Sequence, residues 1–435
     1  MGTAQSSESG MEMDGMDMDM LMQLLGQGGQ RVSHLPQTMA AFAGDLDEIN
    51  RLLDEGMDPN VAEENGLTPL LAASQEGHLP VVMRLLEKNA DVNHAGGAGN
   101  ATALHQAAQN GYVEVAKVLL AAGANTLAVT ENGATPLMQA SQAGNDELVE
   151  ALLEIEAVKD SVNQATTDGG VTALHLAAQS GHSAVAKRLL SAGANPVAAT
   201  MDKGVTPLIH ASGAGSDELV ETLLEIEAVK ASVNQGTTDD GFTALHAAAQ
   251  SGHAGVAKKL LAAGANPVAA TTDKGVTPLL AASAAGSDEI VEALLEREEV
   301  KASVNQATTD QGATALHMAA QNGHAGVVKK LLSAGADQSI LTTNSPGLSP
   351  LMMTRSAEVV EALESFAAAK AAVVEPVEQK EEVQDAALAP AASPARDKSP
   401  NWAGKFSPTA RRKPECWMHA KERNEHNATH RHGKH

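Results

Sequence analysis

Four histidines recur in one setting: His105, His175, His246 and His317 each stand three residues after a threonine, at Thr102, Thr172, Thr243 and Thr314. An imidazole titrates near neutrality and suits general acid–base work, so this set is the first place to look for catalysis. A reaction would also need a nucleophile or a paired carboxylate at matching spacing. None travels with these histidines, and no glycine-rich phosphate-binding loop is present. The chain therefore reads as a non-enzyme without a cofactor. A second cluster, Cys416, His419, His426 and His430 with His432 and His435, supplies nitrogen and sulfur ligands, and its Cys-x-x-His spacing is compatible with zinc. That spacing matches no standard finger and no apolar core surrounds it. These residues stay weak metal candidates, and no metal site is expected. Met18, Met20 and Met22 offer soft sulfur donors but read as plain disordered or helical chain.

A repeat positions the four histidines. Thr135, Thr206 and Thr277 lie 71 residues apart, as do Thr172, Thr243 and Thr314, with internal spacings of 37 and 34 residues. Thr68 and Thr102 continue the pattern upstream. A period near 33 predicts stacked helical pairs. Each Thr can accept a hydrogen bond from the first turn of a helix, and Pro69, Pro136, Pro207 and Pro278 suit its first position. Further on, Gly77, Gly111, Gly144, Gly181, Gly215, Gly252, Gly286 and Gly323 permit the left-handed backbone that ends a helix. A second helix follows with apolar spacing such as Val185, Leu189 and Leu190. Small residues at Ala177 and Ala178, repeated at Ala248, Ala249, Ala319 and Ala320, let helices approach closely. One pair cannot bury its own apolar face, so the core must come from stacking.

The segments NGLTPLLAASQEGHLPVVMRLLEKNADVN (65–93), NATALHQAAQNGYVEVAKVLLAAGAN (100–125) and GVTALHLAAQSGHSAVAKRLLSAGANP (170–196) closely resemble the ankyrin repeat. Eight copies start near residues 63, 97, 130, 167, 201, 238, 272 and 309. The resemblance covers residues 36–368 and implies an all-α solenoid of helix-turn-helix pairs with β-hairpin-like loops, closed by caps near 36–60 and 345–368. It also makes His105 and its equivalents the family's structural histidine, bonded within the loop region.

Outside the array, residues 1–35 are Met- and Asp-rich and expected to be disordered. Residues 369–395 turn from Ala/Glu-rich to Pro/Ser-rich, as a linker does, and 396–435 form a basic, His-rich tail. The net charge of −24 conceals an asymmetry: residues 396–435 carry +6, which leaves −30 on the rest. An acidic solenoid without a basic stripe repels a polyanion, so nucleic acid is not an expected ligand. The lone cysteine, the lack of an apolar run of ~18 residues and the lack of a positively headed signal sequence point to the cytosol.

The charge pattern also alternates along the array. The fifteenth residue after each anchor threonine reads Lys117, Glu150, Lys187, Glu221, Lys258, Glu292, Lys329, so neighbouring second helices should present opposite signs and resist a slip of one repeat. The 37-residue repeats lose the helix-ending Gly and run on as EIEAVKDSVNQ (154–164), EIEAVKASVNQ (225–235) and REEVKASVNQ (297–306). A longer second helix or a wider loop is expected there.

Ankyrin arrays use hairpin tips and first helices as an extended binding surface, and the resemblance transfers that role to named positions. On the first helices they are Gln109, Asn110, Gln142, Gln179, Ser180, Gln250, Ser251, Gln321 and Asn322. At the tips they are Glu131, Asn132, Asp168, Asp202, Lys203, Asp239, Asp240, Phe242, Asp273, Lys274 and Asp310. This polar, acidic surface has Phe242 as its one aromatic anchor, so the expected ligand is a polar or basic extended protein segment, held by a monomeric, non-catalytic scaffold. A second reading puts function in the termini. Gly2 in Met-Gly-Thr-Ala-Gln-Ser matches the myristoylation pattern of a weakly membrane-associated adaptor. Ser393, Ser399 and Ser407, each followed by Pro, are phosphorylation candidates, and the His-rich end would serve a metal-responsive protein.

Overall fold

The threonines start the first helices in two different ways. In the Thr-Pro repeats the hydroxyls of Thr68, Thr135, Thr206 and Thr277 accept the N–H groups of Leu71, Met138, Ile209 and Leu280 at 3.3–3.4 Å. In the Thr-Ala repeats a capping box forms: Nδ1 of His105, His175, His246 and His317 accepts both the backbone N–H and the hydroxyl of its own threonine. The computed structural model describes residues 35–374, and both kinds of start alternate along it.

Several helix-ending glycines have a second task. Gly215, at φ 73°, closes the helix Pro207–Ala214, and a Cβ placed there would sit 2.5 Å from the ring of His253 in the next repeat. The same ring-over-glycine packing joins His78 to Gly44, His182 to Gly144 and His324 to Gly286. Only a residue that tolerates left-handed φ and has no side chain satisfies both demands.

First helices stack on first helices, second helices pack on their own first helix, and second helices also touch those of the neighbouring repeats. The core is aliphatic: Leu104, Leu119, Leu148, Leu174, Leu189 and Leu219 are fully buried, with Ala107, Ala177 and Ala248 at the close approaches. Short strands and bridges close the hairpin loops, as in Ala95–Gly96 against Ala101–Thr102 and the bridge from Ala165 to Thr172.

The 37-residue repeats differ from expectation. Their second helices, Asp146–Leu153, Asp217–Leu224 and Asp288–Leu295, are no longer than those of the short repeats. The extra residues instead fold into separate one-turn helices, Glu156–Asp160, Glu227–Ala231 and Glu298–Ala302. The cause is apolar: Val158 and Val162 must reach the core four residues apart, and they do, as do Val229 with Val233 and Val300 with Val304. The Asn that follows clamps the next repeat. Asn163 accepts from the N–H of Asn195 at 2.6 Å and donates to Gly193 O at 3.0 Å, and Asn234 repeats this on Asn266 and Gly264.

Charges alternate between neighbouring second helices, but the fifteenth-position residues meet neighbours of their expected partners rather than one another. Lys117, Lys187 and Lys258 reach forward to Glu147, Glu218 and Glu289, while Glu150, Glu221 and Glu292 are met by Arg188, Lys259 and Lys330 of the following repeat. Reversing Lys187 and Lys258 together to Glu should lower the urea midpoint modestly at low salt, with the loss shrinking at about 1 M salt. An unchanged midpoint at low salt would remove the register role.

Ser74, Ser212 and Ser283 are fully buried in first helices, and their hydroxyls have no hydrogen-bond partner. The Thr-Ala repeats carry Ala at this position, at Ala108, Ala178, Ala249 and Ala320. Because a buried hydroxyl without a partner is destabilising, Ser212→Ala with Ser283→Ala should leave stability unchanged or raise it by about 1 kcal/mol. Calorimetric melting checks this; a loss exceeding that size would mean that the hydroxyls find partners.

Candidate protein-binding surface

Backbone hydrogen bonds between neighbours set the hairpin tips in line. Thr167 N–H donates to Asn132 O at 2.9 Å, Met201 to Gly169 at 2.8 Å, Thr238 to Lys203 at 2.8 Å, Thr272 to Asp240 at 2.7 Å and Thr309 to Lys274 at 2.9 Å. Four tips are fixed internally by their own carboxylates: Asp202, Asp239, Asp273 and Asp310 accept the N–H of the next residue at 2.6–3.0 Å. Asp168, Asp202, Asp239, Asp273 and Asp310 are nevertheless exposed, as are Glu131, Asn132 and Lys203. The Thr200 hydroxyl holds the Asp202 carboxyl below the usual carboxylate range. At Asp239 a partial loss of hydration works in the other direction, but the Thr237 hydroxyl and nearby N–H groups outweigh it and the carboxyl is again lowered. Negative charge at Asp202 and Asp239 therefore persists to mildly acidic pH.

Other named positions are partly committed to the fold. Asp240 is half-buried and accepts from the Thr237 hydroxyl and the Phe242 N–H; Lys274 is also half-buried. Phe242 packs against the core with its ring tilted 30° to that of His246, centroids 5.4 Å apart. On the first helices Gln109, Gln142, Gln179, Ser180, Gln250, Ser251 and Gln321 are exposed. The amides of Asn110 and Asn322 donate backward to Gln75 O and Ala284 O at 3.0 and 2.9 Å.

The four histidines bridge repeats rather than working inside one loop. With Nδ1 accepting from threonine, Nε2 carries the proton and donates to the carbonyl just before the next anchor: Ala134, Val205, Val276 and Leu348, at 3.0–3.1 Å. Burial pushes the pKa of all four below the ordinary histidine value. A buried neutral ring with both nitrogens occupied has no free atom for a substrate.

A model described as ankyrin repeats (3 copies) matches residues 38–130, 122–200, 197–271 and 266–342. The chain belongs to the ankyrin-repeat family. No curated protein matches it. Ankyrin repeats are generally protein–protein interaction modules and typically non-enzymatic. Sequence reasoning missed the second histidine set, His78, His182, His253 and His324, whose Nε2 atoms meet backbone carbonyls of the preceding repeat at 2.9–3.2 Å. Its signal was the Gly-His pair at 77–78, 181–182, 252–253 and 323–324 of this ankyrin array.

No helix among the described residues is long and apolar enough to cross a membrane, and no group of three or more His, Cys, Asp or Glu among them is placed to hold a metal. Gly2, Ser393, Ser399, Ser407, Cys416, His419, His426 and His430 lie outside the described residues.

Proposed function

We propose that this ankyrin array is a cytosolic, non-catalytic scaffold that binds a polar or basic extended segment of a partner protein across its tips and first helices. The observation that carries the reading is the row of exposed tip carboxylates, one per repeat from Asp168 to Asp310, on tips locked together by backbone hydrogen bonds. Helices in neighbouring repeats sit roughly 8–10 Å apart. An extended peptide advances about 3.3 Å per residue, so cations at every third position would meet successive tips. The rigid tips lose little freedom on binding, and the exposed charges favour fast, salt-sensitive association.

Affinity capture from native lysate with the full-length protein and with a D202N/D239N/D273N variant tests this. Asn keeps the oxygen that accepts the tip N–H, so melting should not change. Retention of the partner should drop about tenfold, since three charges at the interface are lost together. Equal capture by both baits would refute the assignment.

A further inference from the structure

The array closes on a face that its own interior shows how to fill. In the Thr-Pro repeats, the residues two and three places after the anchor are buried within the stack: Leu208 and Ile209 are 4% and 6% exposed. At the C-terminal end, after Ser349, the same places hold Leu351 and Met352, which are 43% and 68% exposed. The second helices align likewise. Val149, Val220 and Val291 are fully buried, whereas their counterpart Val360 is only half-buried and lines an open depression with Arg355, Ala357, Glu361, Glu364 and Ser365. A terminal repeat ordinarily presents a polar outer face; this one carries Arg355, Glu361 and Glu364 but also exposes Leu351 and Met352.

The carboxylate beside that depression is equally informative. Glu361 holds the place of Glu150, Glu221 and Glu292. Each of those three is met by a cation from the second helix of the following repeat: Arg188 at 2.9 Å, Lys259 at 2.7 Å and Lys330 at 2.5 Å. Glu364 adds a second acid where the internal repeats carry Leu153, Leu224 and Leu295. Three times within one chain, this face receives a helical pair, whose second helix lies over the valine and sets a cation against the glutamate.

We propose that the C-terminal face formed by Leu351, Met352, Val360 and Glu361 docks a partner protein's amphipathic helix, with a Lys or Arg set against Glu361. The apolar residues supply the affinity and the Glu361 pair sets the register. This surface is separate from the tips, so a ligand could occupy each at once.

The test uses full-length protein and a helix-stapled synthetic peptide of residues 253–266, which contains the helix that meets Glu221 inside the array. The fluorescent peptide should bind, with saturation below about 1 mM as suits a single helix. Glu361→Lys should weaken it about tenfold, and a peptide carrying Lys259→Glu should recover binding to that variant while losing it on the wild type. Met352→Glu should weaken both peptides alike. Glu361 and Met352 are exposed, so melting curves should not move. Three results would overturn the proposal. One is equal binding by wild type and Glu361→Lys; another is no binding at all, including the case in which the chain's own remaining residues fill the face. The third is a dimer in sedimentation velocity that Glu361→Lys dissolves, which would make the occupant a second copy.

Discussion

His246→Ala should cost the folded array about 3–5 kcal/mol, because the change opens a cavity and leaves buried polar groups without partners. The ring is fully buried, and its loss strands the Thr243 N–H and takes from the Val276 carbonyl one of its two donors, leaving it the Thr271 N–H. It also removes the face on which Phe242 rests. Because repeats contact only their neighbours strongly, the damage should be local. Urea unfolding followed by circular dichroism should show a lower midpoint and a broadened or split transition, and hydrogen exchange should rise first in residues 243–285. A loss below about 1 kcal/mol would show that the bridge between repeats contributes no more than an ordinary hydrogen bond.

Acid should loosen the array well before its carboxylates titrate. His105, His175, His246 and His317 all lie below the ordinary histidine value of 6.5 because burial disfavours their charged form, and burial with the nearby His175 brings His210 down to about 4. A base whose folded pKa is depressed leaves the folded state with fewer bound protons than the unfolded one. Its stability contribution is therefore complete above pH 6.5 and is lost as pH falls towards the folded pKa. For His210 alone, the interval from 6.5 to about 4 corresponds to about 3 kcal/mol by the low end. Urea midpoints measured at pH 7.5, 5.5 and 4.5 should fall steadily, and His210→Ala, which copies Ala281 of a sister repeat, should flatten part of the slope. A midpoint constant across that range would contradict the buried neutral rings. Protonation at Nδ1 would in addition set a donor against the N–H of the anchor threonine, so the capping box and the bridge should fail together.

Much of this fold can be read directly from residue types because each local signal has one physical meaning. Thr-Pro starts a helix, Gly in left-handed φ ends it, and the array follows once an apolar face needs a neighbour. The histidines at position three read correctly as structural. That their second nitrogen crosses to the next repeat did not, because the acceptor is a backbone carbonyl and leaves no mark in the side-chain sequence. The same blindness hid His182 and His253, whose partners are carbonyls and a bare glycine. In the long repeats, the loss of Gly suggested a longer helix or a wider loop, yet Val158 and Val162 face the core after a break at Ile155. For the binding surface, exposure at the tips was predictable from polarity. The commitment of Asp240, Asn110 and Asn322 to the fold was not, since it depends on where a loop hydroxyl and N–H lie for the aspartate and where a backbone oxygen of the preceding repeat lies for the asparagines.

The two kinds of interface restrict how the gene for such an array can change length. Histidine bridges run from a Thr-Ala repeat into a Thr-Pro one, and the asparagine clamps of the long repeats run from a Thr-Pro repeat into a Thr-Ala one. Duplicating a 71-residue pair reproduces both joints intact. Adding a single repeat would set two faces of one kind together, so that either a forward-reaching Lys loses the acidic turn it meets or a joint lacks its histidine bridge. Growth by twos is the only increment that keeps every joint, so unequal crossing-over in this chain should leave an even number of added repeats.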